Sequence, residues 1–187
     1  MSDADQLAQA LALHQAGEIA AAEAIYRDLL EKCPDNGDAC HYLGLAAYQH
    51  GRLDEADVLM TRAIDLAPLD AAIFSNRGAV RLAQKRFPAA VEDFDRAVAL
   101  DPSRVEALSN KSLALMELSA WDEALALLDS ALARGLSSSQ LHYNRGSLLL
   151  MLSRPGEAIA ALDAAIALAP NFTDALLKRG GALLELQ

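Results

Sequence analysis

Several features are scarce in this chain, and each scarcity excludes a class of protein. Aromatic residues make up 5% of it, with one Trp, although 53% is hydrophobic. Ten Gly and six Pro among 187 residues are too few for a fibrous or disordered chain. Two cysteines, Cys33 and Cys40, cannot build a disulfide framework, and their spacing matches no common zinc pattern. Basic residues are outnumbered, 16 against 26 acidic, for a net charge of -10. That balance argues against nucleic acid as the main partner, because phosphate binding needs clustered Lys and Arg. No apolar run approaches the roughly 18 residues of a membrane span, and the acidic start, Met1 to Asp5, is unlike a secretory signal. The expectation is a cytoplasmic protein with no membrane partner.

What the chain does contain is a period. Proline falls at 34, 68, 102 and 170, all separated by multiples of 34. Small residues recur at the same step at Ala10, Gly44, Gly78, Ser112, Gly146 and Gly180. Two rows of alanine follow it, Ala22, Ala56, Ala90, Ala124 and Ala158, then Ala63, Ala97, Ala131 and Ala165; Leu29 takes the second row's place in the first unit. Agreement between independent rows marks an array of repeated units. The units run 3–36, 37–70, 71–104, 105–138 and 139–172, with a half unit over 173–187. Residues can therefore be assigned places 1 to 34 within a unit.

Places 4, 8 and 11 are mostly apolar or small, and places 17, 20, 24 and 27 repeat that helical spacing, as in Phe87, Ala90, Phe94 and Ala97. Gly17 and Gly51 mark a turn between the two stretches, and Pro88 suits a first helical position. The Pro near the end of a unit stops its second helix. Each unit is thus expected to be a helical hairpin whose helices approach closely at the small places. Unit four has Arg134-Gly135-Leu136-Ser137-Ser138-Ser139 where the others have Pro, so a looser junction is expected, with a serine capping the next helix.

The small residue at place 8, Ala at 20, large apolar residue at 24, Ala at 27 and Pro at 32 resemble the tetratricopeptide repeat (TPR), over nearly the whole chain. The family's Trp at place 4 is absent, replaced by Gln6, Cys40, Phe74, Leu108, His142 and Leu176. The resemblance implies an all-α, α-α superhelix (solenoid) of about five and a half repeats forming a single domain over 3–187. It also implies a concave groove, lined by first helices, that binds an extended peptide or partner protein. The family's clamp for chaperone tails is not matched, since place 9 holds no Asn. Stretches such as Tyr143-Asn144-Arg145-Gly146 are similar to repeats preceding bacterial O-GlcNAc-transferase-like domains. That likeness implies an alternative role as the substrate-recruiting arm of a larger enzyme.

Helical geometry, at 100° per residue, places 2, 6, 9 and 13 on one stripe opposite places 4, 8 and 11. The stripe reads Asp38, Tyr42, Leu45 and Gln49, flanked by His41 and Tyr48; Ala72, Asn76, Ala79 and Ala83; and Glu106, Asn110, Leu113 and Glu117. It continues with Gln140, Asn144, Ser147 and Met151 beside Tyr143, then Asp174, Lys178, Gly181 and Glu185. Asn76, Asn110 and Asn144 form a row whose amides can both donate to and accept from a peptide backbone. This row resembles the asparagine ladder of the same transferase family, and it also suits a general preference for Asn at this place. As a ladder it is expected to be replaceable by Ala with loss of peptide but little loss of stability. The candidate contacts are Asn76, Asn110, Asn144, Tyr42, Tyr48, His41, Tyr143 and Lys178.

A basic row, Arg77, Lys111, Arg145 and Arg179, lies one residue further on, toward the flank of the buried face. Its side chains are expected to lay their stems over apolar surface rather than form an anion track. Nothing in the sequence assembles a nucleophile, base and orienting group. His14, His41, His50 and His142 fall in no metal-binding pattern, so no catalysis, metal or cofactor is expected. Asp54-Glu55 and Asp122-Glu123 suit the positive ends of second helices.

The last helix carries Leu176, Leu177, Leu183, Leu184 and Leu186 and reads as half a repeat rather than a polar cap. Either the array continues past Gln187 or this edge self-associates. Charge is uneven too, with the first two units acidic and the third, through Arg77, Arg81, Lys85, Arg86, Arg96 and Arg104, basic.

Overall fold

The computed structural model describes residues 2–185, which form eleven helices and no strand. Contacts divide the chain into two compact units, Met1–Asp101 and Pro102–Gln187, with the division falling in the turn between the third and fourth hairpins.

The first unit holds three hairpins: α1 (Asp3–Gln15) with α2 (Ile19–Lys32), α3 (Gly37–Gln49) with α4 (Leu53–Leu66), and α5 (Ala71–Ala83) with α6 (Phe87–Leu100). The second holds α7 (Val105–Glu117) with α8 (Trp121–Ala133), α9 (Ser139–Met151) with α10 (Pro155–Leu168), and then α11 (Thr173–Glu185). Helices α2, α4, α6 and α10 each stop two residues before Pro34, Pro68, Pro102 or Pro170. This follows from the clash that bars a residue preceding proline from helical geometry.

Helix α8 lacks that stop and ends differently. Gly135 adopts a φ of +78°, and the Leu136 N–H returns to the Ala131 carbonyl at 3.1 Å. Ser138 then caps α9 by accepting from the Leu141 N–H at 3.1 Å. The expected loose junction is therefore closed at both ends by defined caps.

All five hairpin turns share one backbone solution. Place 15 takes positive φ at Gly17, Gly51, Lys85, Ser119 and Ser153. The next N–H bonds back five residues, as in Glu18 to Leu13 and Ala120 to Leu115, both at 2.9 Å. This is the bonding of a Schellman cap, which satisfies carbonyls left free at a helix end.

The alanine rows form the interior: Ala22, Ala56, Ala90, Ala124 and Ala158 are fully buried. Larger partners, among them Tyr26, Met60, Phe94, Leu128 and Leu162, fill place 24. The small residue at place 8 faces them. A Cβ at Gly78 would come within 2.6 Å of Phe94, and one at Gly146 within 2.7 Å of Leu162.

Candidate functional site

The first-helix stripe divides into exposed, half-buried and buried members. In the first unit Asp38, Gln49 and Ala83 are exposed, while Tyr42, Leu45, Ala72, Asn76 and Ala79 are half-buried. In the second, Glu106, Glu117, Gln140, Met151, Asp174 and Gly181 are exposed and Asn110, Leu113 and Lys178 are half-buried. The side chain of Glu185, also expected on the stripe, lies outside the described residues, as does Leu186.

Two stripe positions differ from expectation. Asn144 is fully buried and Ser147 nearly so. The Asn144 amide donates to the Ser109 carbonyl at 3.0 Å, to Ser109 Oγ at 3.1 Å and to Ser112 Oγ at 3.0 Å. Its Oδ1 accepts from Gln140 Nε2 at 2.8 Å. Serines at places 5 and 8 of α7 leave both room and acceptors, so the amide turns inward and satisfies itself on the preceding first helix. It is not presented to a ligand. The three asparagines are therefore unequal, with Asn144 tied into the packing of α7 and α9.

Asn76 repeats this geometry more loosely. Its Nδ2 donates to His41 Nε2 at 2.8 Å, again at place 5 of the preceding first helix. His41, expected on an exposed flank, is only 7% exposed. It is held by that bond and by stacking on Tyr42, with ring centroids 5.0 Å apart. Tyr42 in turn stacks on buried Tyr26 at 6.0 Å, so it belongs partly to the core of the first hairpins. Burial pushes the Tyr26 phenol up to about 12. Its hydroxyl reaches His14 Nδ1 at 3.4 Å, and His14 Nε2 reaches Gln49 Oε1 at 3.1 Å.

Tyr143 and Lys178 are brought together, with the ammonium 5.9 Å from the ring centroid. Tyr143 also packs on Phe172 at 4.8 Å. Tyr48 is half-buried. Asn110 stands apart from the other two asparagines, because its amide makes no side-chain hydrogen bond among the described residues.

The basic row is used structurally, through ion pairs rather than through its aliphatic stems alone. Arg145 Nε donates to Asp129 at 2.6 Å, and Arg179 pairs with Asp163. Both acids lie at place 25 of the preceding second helix, so each pair ties consecutive hairpins. Place 25 of the second repeat is Thr61, and there Arg77 donates to the hydroxyl at 3.1 Å while gripping Asp93 at 2.6 and 3.0 Å. Arg81 reaches the same buried Asp93 at 2.9 Å and also Asp57 at 3.0 Å. Reading place 7 against place 25 would have exposed this pairing in the sequence; reading each helix alone conceals it.

At the first two hairpins a second network joins Glu23, Arg27, Arg52 and Glu55. Arg52 reaches Glu23 and Glu55, and Arg27 reaches Glu23 at 2.7 Å and Glu55 at 2.6 Å. The Arg52 hydrogen bond, helped by Arg27 against burial, holds the Glu23 carboxyl at about 2. Among the described residues no group of three or more His, Cys, Asp or Glu side chains could hold a metal ion. Burial, then the nearby Arg145 charge, lowers the His142 imidazole below its usual value. Cys33 is exposed at a helix end and Cys40 is buried, its thiol pushed up by that burial. No helix among the described residues is long and apolar enough to cross a membrane.

Sequence reasoning missed one feature of the second unit. A cavity of about 250 Å³ lies between the starts of α7 and α9, lined by Val105, Glu106, Ser109, Asn110, Ser138 and Gln140. Glu106, Asn110 and Gln140 were legible as stripe residues. Their convergence with Ser109 and Ser138 depends on how the two hairpins pack.

Helical hairpins repeated every 34 residues, with small residues at the crossing points, define an all-α repeat protein. The tetratricopeptide repeat family matches residues 3–46, 43–105, 109–173 and 152–187, and the chain belongs to that family. Solved structures share the fold. A thermophilic TPR protein of Thermus thermophilus, TTC0263, is 20% identical over 98% of this chain and all of its own, with a TM-score of 0.76. YrrB, described as a TPR protein with an unusual peptide-binding site, is 22% identical over 94% of this chain and 90% of its own, at 0.74. A tetratricopeptide repeat protein from Parabacteroides merdae ATCC 43184 is 19% identical over 98% of this chain and 73% of its own, at 0.81. No curated protein matches the sequence. The family marks the chain as a protein-interaction module, and no catalytic family is indicated.

Proposed function

We propose that this chain binds an extended peptide or a segment of a partner protein along the exposed stripe of its first helices, without chemistry of its own. The observation that carries this reading is that the stripe of α7 keeps polar groups the fold does not use. Glu106 and Asn110 make no side-chain hydrogen bond among the described residues. A surface whose polar groups are already satisfied offers little to a peptide backbone, whereas free amides and carboxylates supply the directional contacts that fix one. In this reading Asn76 in the first unit and Asn110 in the second are backbone contacts, flanked by Tyr42 and Tyr48 in the first and by Tyr143 and Lys178 in the second. His41 and Asn144 support the stripe from behind. The peptide-binding site named for YrrB lends support by likeness of fold.

Selection of a random displayed peptide library on the full chain tests this. Enriched peptides should bind with an affinity that Asn110→Ala weakens while the helical circular-dichroism spectrum is unchanged. A library that yields no binder, or binders indifferent to every stripe substitution, overturns the reading.

Self-association through α11 is a second reading, favoured by Leu176, Leu177, Leu183 and Leu184, which are 40–71% exposed. Sedimentation velocity across a concentration series should show a dimer that Leu177→Glu with Leu184→Glu abolishes. A parent that stays monomeric throughout rules it out.

A further inference from the structure

Helix α11 presents two unlike faces. Ala175 and Ala182 are buried, Ala175 against Leu162 and Ala165 of α10. Gly180 is exposed together with Leu176, Leu177, Leu183 and Leu184, the leucines by 45%, 70%, 40% and 71% in that order. At 100° per residue these five positions share a sector of about 120°, and Gly180 lies at its centre. Leu176 and Leu183 flank it on one side, Leu177 and Leu184 on the other. Each pair is seven residues apart and centred beside Gly180, so a half-turn about that residue leaves the face nearly unchanged. A Cβ at Gly180 would meet nothing within 4 Å.

In the complete hairpins an antiparallel helix covers the face centred on place 8. Gly44 lies against Met60 of α4, Gly78 against Phe94 of α6 and Gly146 against Leu162 of α10. The corresponding face of α11 is exposed. A second copy matches it in one place, because among the described residues no other helix exposes more than two large apolar side chains. An isologous contact follows, α11 against α11. No charged side chain falls within the sector, and the flanking Lys178 and Arg179 are held over Tyr143 and against Asp163. Antiparallel packing also sets the positive start of each helix beside the negative end of the other. The four leucines expose between them more than two whole side chains' worth of surface. With the glycines and both copies counted, the contact buries on the order of 1,000 Å², the least that a specific interface needs.

We infer that a second copy of this chain docks antiparallel on α11, with a two-fold axis beside Gly180. Leu176 then packs on the partner's Leu183 and Leu177 on the partner's Leu184, with the two glycines at the closest approach. This rests on the self-association reading and adds to it the orientation of the partner and the residue that sets the spacing. An interface of this size gives a dimer in exchange with its monomer rather than a permanent one.

Sedimentation equilibrium of the full chain and of Gly180→Leu is the test. The new side chain starts into open space and enlarges the apolar face, so unspecific adhesion would grow stronger. At a two-fold contact it forces the helices apart and should weaken the dimer roughly ten-fold or more, with the helical circular-dichroism spectrum unchanged. A second measurement uses a Cys33→Ser background, which removes the exposed cysteine. Leu177→Cys chains mixed with Leu184→Cys chains under mild oxidation should form a disulfide between positions 177 and 184 in preference to either like pair. Preference for the like pairs would make the helices parallel, and unchanged or stronger association of Gly180→Leu would remove the close approach. Either result overturns the inference while leaving self-association through α11 standing. A parent that stays monomeric at every concentration overturns both and gives the face to a different protein.

Discussion

Asn144 Nδ2 donates to the carbonyl of Ser109 at 3.0 Å, 35 residues earlier and on the first helix of the preceding hairpin. Asn76 makes the corresponding reach to His41 over the same separation. The asparagine row therefore contributes to the stacking of repeats before it contributes to any ligand. Asn110 is the member whose amide makes no side-chain hydrogen bond among the described residues.

The row should accordingly split on mutation. Asn144→Ala takes from Ser109 Oγ and Ser112 Oγ the donor they share, although the Ser109 carbonyl keeps its bond from Ser112 Oγ, and should cost about 1–3 kcal/mol. Asn110→Ala should stay within about 0.5 kcal/mol of the parent and act on peptide affinity instead. Urea unfolding followed by circular dichroism, beside peptide binding, reads both. Equal destabilisation by the two changes would contradict this division.

Glycines at place 8 are equivalent in sequence and unequal in space. Gly146→Ala drives a methyl to 2.7 Å from Leu162 Cγ and 3.2 Å from the Ala158 carbonyl oxygen. Overpacking of that kind should cost about 1–3 kcal/mol. A Cβ at Gly180 meets nothing within 4 Å. Gly180→Ala should therefore stabilise α11 by up to about 1 kcal/mol through helix propensity. Amide hydrogen exchange in α9 and α11 resolves the two effects locally.

The hairpin turn offers a stabilising change. Ser119 holds a φ of +58°, the conformation that Gly17 and Gly51 adopt at the same place. A side chain there costs roughly 1–2 kcal/mol, partly offset by the greater unfolded-state freedom of glycine. Ser119→Gly should gain about 0.5–1 kcal/mol, and Ser153→Gly should do the same. A lowered melting temperature for both variants would show that the place-15 conformation is not strained.

Acid should loosen the first two hairpins through Glu23. Its carboxyl sits at about 2 in the folded chain against 4.5 ordinarily, so the folded state takes up its proton less readily than the unfolded one. The stabilisation is fully present above pH 4.5 and is lost as pH falls toward 2. After allowance for solvent around Arg27 and Arg52, it amounts to roughly 1–2 kcal/mol. Glu23→Gln should lower stability near neutral pH and flatten its dependence between those limits. Unfolding curves at pH 3 and pH 6 make the comparison, and parallel loss in parent and variant would refute it.

The order of residues alone was enough to reveal the repeat, the boundaries of its hairpins, the small crossing places and the stops at Pro34, Pro68, Pro102 and Pro170. These depend on local rules or on one residue type recurring at one place, and a 34-residue period makes each visible several times over. The identity of the stripe was legible too, since a turn of helix fixes which places share a face. Packing between helices settled which of those side chains are available. A helical wheel puts Asn110 and Asn144 at the same angle, yet Asn144 is consumed by Ser109 and Ser112, residues of a neighbouring repeat. Packing also turned Arg145 and Arg179 toward acids at place 25 of the hairpin before them, and opened Glu106 onto a cavity shared with Ser138 and Gln140. Burial, pairing and free acceptors are properties of two packed helices together, and no single helix encodes them.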